Sequence, residues 1–297
     1  MQFYQHSGRC GVWGVPMASG VGLLAGLVLA LVYVYVISWI PILYVSFLAT
    51  AGFGAAIGAA VAYGARWGRM RNTLIATMVA GLTALVAMYF AWAFDPIARF
   101  NETRPLWKPE LIWEYMTFGF ENGFWSIGRN GNPVTGFFLV AVWIAEAGIV
   151  IGVACTTLVA MIGSQPYCEE TDQWTNSEKN LAALSLVNDD QAEAKLGRLM
   201  QGDLQSLREF YRSEGDEPAK LELDLATCPD CPTCNYLTVR MIRQTVNKKN
   251  EVTKEESKIL VNLQIDPEEV SLVREAGIER PAESFVAEDA NDAAASV

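Results

Sequence analysis

The sequence predicts an α-helical membrane protein: four transmembrane helices followed by a small α+β soluble domain with a zinc-ribbon-like hairpin. Three observations carry this reading. Residues 1–163 of the 297 contain four long apolar runs, three of them without any charge. Eight basic against six acidic residues make that part +2, so the whole-chain −11 leaves −13 for residues 164–297. Three of the six cysteines, Cys228, Cys231 and Cys234, fall within a seven-residue run.

The first apolar run, residues 18–40, has no charged side chain. About 20 helical residues at ~1.5 Å each cross a ~30 Å hydrocarbon core, so the run is long enough to span. It is longer than the ~7–15-residue core of a secretory signal, and a second apolar run follows at once, so it reads as a retained helix. Pro41 marks a tight turn. Residues 42–64, 74–94 and 137–161 supply the second, third and fourth spans, and 95–136 forms the loop between the last two. The lipid bilayer is thus the first partner implied.

Orientation follows from Arg66, Arg69 and Arg71 in the short link between the second and third spans, because basic residues beside spans favour the cytoplasmic side. This puts both termini in the cytoplasm and the 95–136 loop outside, with a bacterial cytoplasmic (inner) membrane taken as the setting. Trp39 and Trp92 then fall at the outer ends, and Trp13 and Trp67 near the inner ends, as an aromatic belt requires. Small residues recur every four positions: Ala18, Gly22, Gly26 and Ala30 in the first span, Ala51, Ala55 and Ala59 beside Gly54 and Gly58 in the second, Gly148 and Gly152 in the fourth. Such stripes let helix backbones approach within one bundle, and the same faces admit a homo-oligomer. The outer loop is rich in aromatics, among them Trp107, Trp113, Tyr115, Phe118 and Phe124. Pro109 opens a short helix through Met116, which Gly119 and Gly123 should break; such a segment suits the membrane surface, or a lid.

The tail reads as an α+β domain over 164–280. Leu196, Leu199, Met200, Leu204 and Leu207 lie at helical spacing within 190–212. Residues 221–226, 236–246 and 259–265 read as strands, the last two joined by a polar turn at 247–250, and Asp266 caps a helix with Glu268 and Glu269 in its first turn. Residues 281–297, acidic and Ala-rich, read as a disordered tail.

Two features could carry chemistry. Cys228-x2-Cys231-x2-Cys234 has metal-ligand spacing. Zinc takes four thiolate or imidazole ligands, so the predicted site is Cys168, Cys228, Cys231 and Cys234, with Zn as cofactor. Thr171 stands where a second C-x2-C would place a partner for Cys168. The run also opens like a ferredoxin-type cluster, but Thr238 stands where that pattern needs its next cysteine. The second feature is Glu146, about mid-span, where an ionised carboxylate is costly, so it should be protonated or partnered; Thr77, Thr83, Tyr89, Tyr33 and Tyr35 are the candidate partners.

Several functions are excluded. A tail of −13 repels phosphate backbones, which argues against nucleic-acid binding. With His6 the one histidine, Ser–His and Cys–His catalysis drop out for the tail, and a redox or other enzyme built on the cysteines is the weakest reading because the chain shows no cofactor motif. What remains is a membrane-anchored interaction or assembly protein whose acidic cytosolic domain docks a protein partner. The alternative is a small transporter or ion-coupled channel subunit using Glu146.

Overall fold

The computed structural model describes residues 1–39, 43–126, 132–187, 190–213, 217–246 and 252–277. The turn expected at Pro41, the polar turn at 247–250 and the acidic tail 281–297 lie outside them. The chain divides into two compact units, one of His6–Ser164 and one of Met1–Gln5 with Gln165–Val297.

The first unit holds α1 (Gly14–Trp39), α2 (Leu43–Trp67), α3 (Thr73–Phe100), α4 (Pro109–Asn122) and α5 (Gly136–Gly163). All except α4 are long and apolar enough to cross a membrane. Helix α1 packs on α2 and α3, and both of these pack on α5. The unit is inverted relative to a water-soluble bundle. Ala18, Gly22, Gly26, Ala30 and Val34 form the buried face of α1, whereas Leu24, Val28, Leu48, Leu82 and Ile144 are exposed. Exposed aliphatic faces over a small-residue interior are what lipid-facing helices present.

The small residues do bring backbones together. A Cβ on Gly58 would lie 2.3 Å from the Ala154 carbonyl oxygen, and one on Gly54 would lie 2.6 Å from that of Val150. Gly64 meets Met17 O of α1 in the same way, at 2.5 Å. The expected stripe at Gly148 and Gly152 behaves differently: nothing within 4 Å faces either position. Residues 8–11 run back along the α2–α3 turn, where Arg71 N–H donates to Arg9 O at 2.9 Å and Asn72 Nδ2 to Gly8 O at 2.9 Å. Asn72 also caps α3 through a 3.0 Å bond from Ile75 N–H.

Two features of this unit depart from expectation. Helix α3 continues past 94 to Phe100, so Asp95 and Arg99 are helical residues rather than loop residues. Their i,i+4 spacing makes a pair that holds the extra turns together. Helix α4 runs through Gly119 to Asn122. The Phe124 ring occupies the space where a Gly119 Cβ would stand, so this glycine serves close packing and does not break the helix.

The second unit contains a two-stranded hairpin, β1 (Tyr167–Cys168) and β2 (Gln173–Trp174). Beside it is an antiparallel sheet of order β3 (Asn176–Ser185), β4 (Ala219–Cys228), β5 (Cys231–Val246), β6 (Val252–Ile265). Strand β3 has no counterpart in the sequence reading. Its polar first half, and a register break between Glu178 and Ala182 with Asn180 at φ 54°, interrupt the alternation that would announce a strand. Helix α6 (Ala192–Met200) stops at Gly202, where φ is +96°, and a 3-10 turn at Leu204–Glu209 follows, so the expected single helix is two. Leu221, Leu223 and Leu225 alternate toward one face of the sheet and join Leu199, Leu207, Phe210, Leu237, Val239 and Leu260 in the core. Helix α7 (Pro267–Arg274) closes that face, and Asp266 N–H donates to Glu269 Oε2 at 2.9 Å in a capping box.

The chain's first residues belong to this second unit. Phe3 bridges Leu263, Tyr4 N–H donates to Asn262 O at 2.9 Å, and Gln264 N–H donates to Gln2 O at 2.8 Å. The contact falls at a β-bulge. The register steps from Leu237↔Leu263 to Val239↔Leu260, so two β6 residues oppose Thr238, and Asn262 adopts φ 50°.

Candidate functional site

The cysteines gather where two hairpin ends meet. Strands β4 and β5 are joined by a tight connection that pairs Cys228 with Cys231, and the β1–β2 hairpin carries Cys168, Glu170 and Thr171. The sulfurs of Cys168, Cys231 and Cys234 all lie within 4.8 Å of one another, and all three residues are buried. This group can hold a metal ion. Cys228 is buried in the same small cluster, with Ala226, Tyr236 and Tyr4 around it. Its sulfur, however, meets Thr171 Oγ1 at 3.1 Å and accepts from Gln173 Nε2 at 3.3 Å. Of the four cysteines expected at the site, three therefore converge directly, and the fourth is held beside them by Thr171 and Gln173.

The electrostatics favour a cation. The bonding partners of these sulfurs are thiols, hydroxyls, an amide and the Glu170 carboxylate, which accepts from Cys231 at 3.0 Å. Among the described residues no Lys or Arg bonds to any of them. Burial acts to raise the Cys168 thiol. The bonds from Cys234, from the Thr171 hydroxyl and from the Thr171 and Glu170 backbone outweigh it and bring the thiol down to about 7. The Cys234 thiol is pushed up, first by burial and then by its cysteine neighbours. Adjacent thiolates repel, so one keeps its proton; a bound cation removes that conflict. Cys168 and Cys234 sulfurs stand 2.9 Å apart, beyond a disulfide's ~2.05 Å. Ligands at ~2.3 Å around tetrahedral zinc lie about 3.8 Å from one another, so metal entry would spread this pair.

A second polar centre lies in the helical unit, a cavity of about 620 Å³. Glu146 of α5 lines it, as do Asp95 and Arg99 of α3. Asp95 is buried and fully engaged: Arg99 Nε and Nη2 donate to its two oxygens at 2.9 and 3.1 Å, and the Tyr115 hydroxyl donates at 2.6 Å. Arg99 also donates to the Phe124 carbonyl at 3.2 Å and lies 5.2 Å from the centre of that ring. Glu146 has no hydrogen-bond or ion-pair partner among the described residues. Of its expected partners, Tyr33 lines the same cavity but bonds Thr50 at 3.0 Å. Thr77 turns its hydroxyl back to Thr73 O at 2.7 Å, and Tyr89 donates to Trp107 O. Thr hydroxyls in helices commonly satisfy themselves on the i−4 carbonyl in this way.

Sequence reasoning missed the Asp95–Arg99–Tyr115 group because charge was taken to end the third span. The available signal was the i,i+4 spacing of opposite charges on a helical run. It also passed over Glu170, two residues beyond Cys168. Comparison with protein-family models, curated proteins and solved structures returns no match, so these sites stand on their own geometry.

Proposed function

We propose that this chain is a membrane-anchored interaction or assembly protein, whose acidic soluble domain is tied together by one structural zinc ion and docks a protein partner. The supporting observation is the convergence of Cys168 with Cys231 and Cys234, because it joins the start of the domain to its central hairpin. Closing a loop of some 60 residues constrains a small domain with limited core. Cys228 completes a zinc-ribbon-like set of four, with Glu170 as the competing fourth donor. Zinc supplies no reaction in this reading; it fixes the hairpins. The excess of negative charge then selects a basic protein surface over nucleic acid or anionic lipid.

Cobalt substitution of the purified full-length protein tests the metal centre. Four thiolates give stronger sulfur-to-cobalt absorption than three. Cys228→Ser should lower it by about one quarter while metal is retained. Zinc and iron both absent from anaerobically purified protein, with cobalt failing to bind, would overturn the reading. Docking is tested by photo-crosslinking from the soluble domain in intact membranes. A partner captured at low salt should be lost at high salt and in Cys231→Ser.

The orientation carried by this proposal places both termini in the cytoplasm of a bacterial cell. It is supported by the Arg66–Arg71 turn and by residues 8–11 lying against that turn. Cysteines introduced at the exposed positions Glu193 and Asn122 distinguish the two sides. An impermeant thiol reagent should label Asn122→Cys and spare Glu193→Cys in intact cells; the reverse pattern refutes it.

A further inference from the structure

We propose that the cavity in the helical unit is a binding site for a lipophilic organic cation, of the quaternary ammonium or phosphonium type. This goes beyond the docking reading and does not depend on the cysteine site. The first argument is charge. Two carboxyl groups and one guanidinium line the cavity, those of Asp95, Glu146 and Arg99. Asp95 and Arg99 neutralise each other through two hydrogen bonds at 2.9 and 3.1 Å. Glu146 is left without a partner among the described residues. Ionised, Glu146 would give the lining one negative charge beyond the Asp95–Arg99 pair, in a region where an isolated carboxylate is costly, and a monovalent cation is the partner that would meet that cost.

The second argument is the wall chemistry. Trp92 and Trp143 meet edge to face at 5.0 Å, and Tyr33 and Phe53 stack at 4.7 Å. All four line the cavity, with Phe124. Aromatic faces attract cations that shed water easily, and this protein already uses Phe124 for Arg99. A bare metal ion is the weaker fit, because hard cations need six or more oxygen ligands. Here Tyr33 is committed to Thr50, and the Ser38 hydroxyl donates to the Val34 carbonyl at 2.7 Å. An anion is opposed because Arg99 already belongs to Asp95. The third argument is size: about 620 Å³ lies within the ~300–1,000 Å³ of small-molecule pockets.

Tetraphenylphosphonium and tetraphenylborate test this directly, since they share a shape and differ in the sign of charge. Equilibrium dialysis against the full-length protein in neutral detergent should show saturable binding of about one phosphonium per chain, at least about tenfold tighter than the borate. Glu146→Gln should weaken phosphonium binding about tenfold or more and remove the preference between the ions. Trp143→Ala should weaken it less, and Glu114→Gln on the exposed face of α4 should change nothing. Equal binding of both ions identifies an apolar cavity for neutral lipid and overturns the proposal. So does phosphonium binding that Glu146→Gln leaves intact, or no saturable binding at all. If Glu146→Gln does not fold, the preference between the two ions in the unmodified protein decides the matter.

Discussion

Arg240 in the sheet unit and Arg99 in the helical unit make the same clasp in different surroundings. Arg240 holds Asp224 at 2.8 and 2.9 Å, and Glu222 at 3.1 Å and Glu256 at 3.2 Å crowd around it. The Asp224 bond, and after it the Asp224 charge and Glu256, raise its pKa against the opposing effect of burial. Arg99 holds Asp95 at similar lengths, with a phenol and an aromatic ring in place of further acids. On the sheet face Arg240, Glu222 and Asp224 are largely covered, and Glu256, with half its side chain exposed, is the acid through which water reaches the cluster. Among apolar helices the charges come as a closed pair, and any remainder has to be met by something else. The same side chains thus report different things: an acid-rich cluster that opens to water at Glu256 in one unit, and a candidate ligand site in the other.

Metal removal separates the two units most sharply. Structural zinc contributes about 10–16 kcal/mol in small peptide sites. Cys231→Ser, or a strong chelator, should therefore abolish metal content and melt the sheet unit. The helical unit's own transition should stay in place, as followed by circular dichroism at a helix wavelength in detergent. A sheet unit that melts unchanged would show that the thiols bind nothing that matters to it.

Arg99→Ala comes next, at about 3–5 kcal/mol, because it leaves the buried Asp95 carboxylate unpaired. Asp95→Leu combined with Arg99→Leu should recover most of that loss in a denaturant titration. If the single substitution costs under about 1 kcal/mol, water reaches the pair and the contrast with Arg240 fails. Arg240→Ala should cost about 1–3 kcal/mol, and less at high salt, since Asp224 and Glu256 then lose their cation while Glu222 keeps Lys220 at 3.1 Å. Smallest is Glu178→Gln, which breaks the Arg274 pair at 2.8 and 3.0 Å where both side chains are more than 40% exposed. Its effect should stay within about 1 kcal/mol.

How much the sequence disclosed follows the same division. The helices announced themselves because apolar runs need no partner to be recognised, and the cysteines because C-x2-C has a meaning at seven-residue range. Cys168 could be named as their companion only by elimination, and Glu170 not at all, since its role depends on a hairpin turn of which Gln173 and Trp174 give little sign. Strand β3 was hidden by polar Asn176–Asn180 residues that pair along a sheet margin rather than alternate. The cavity was least legible. It is made by Tyr33, Asp95, Phe124 and Glu146 from four separate stretches, and no local pattern records that they share a space.

The pairing of Phe3 and Tyr4 with strand β6 bears on how the chain is made. At about 5–20 residues per second, β6 leaves the ribosome on the order of tens of seconds after Tyr4. All the apolar helices are synthesised in that interval, while the opening residues wait with an unsatisfied edge. A chain that stalls before residue 252 keeps that edge open, however well its helices have formed. Protection of the Tyr4 amide, which donates to Asn262 O at 2.9 Å, therefore reports that β6 has been made and paired, and it does so whatever state the helices are in.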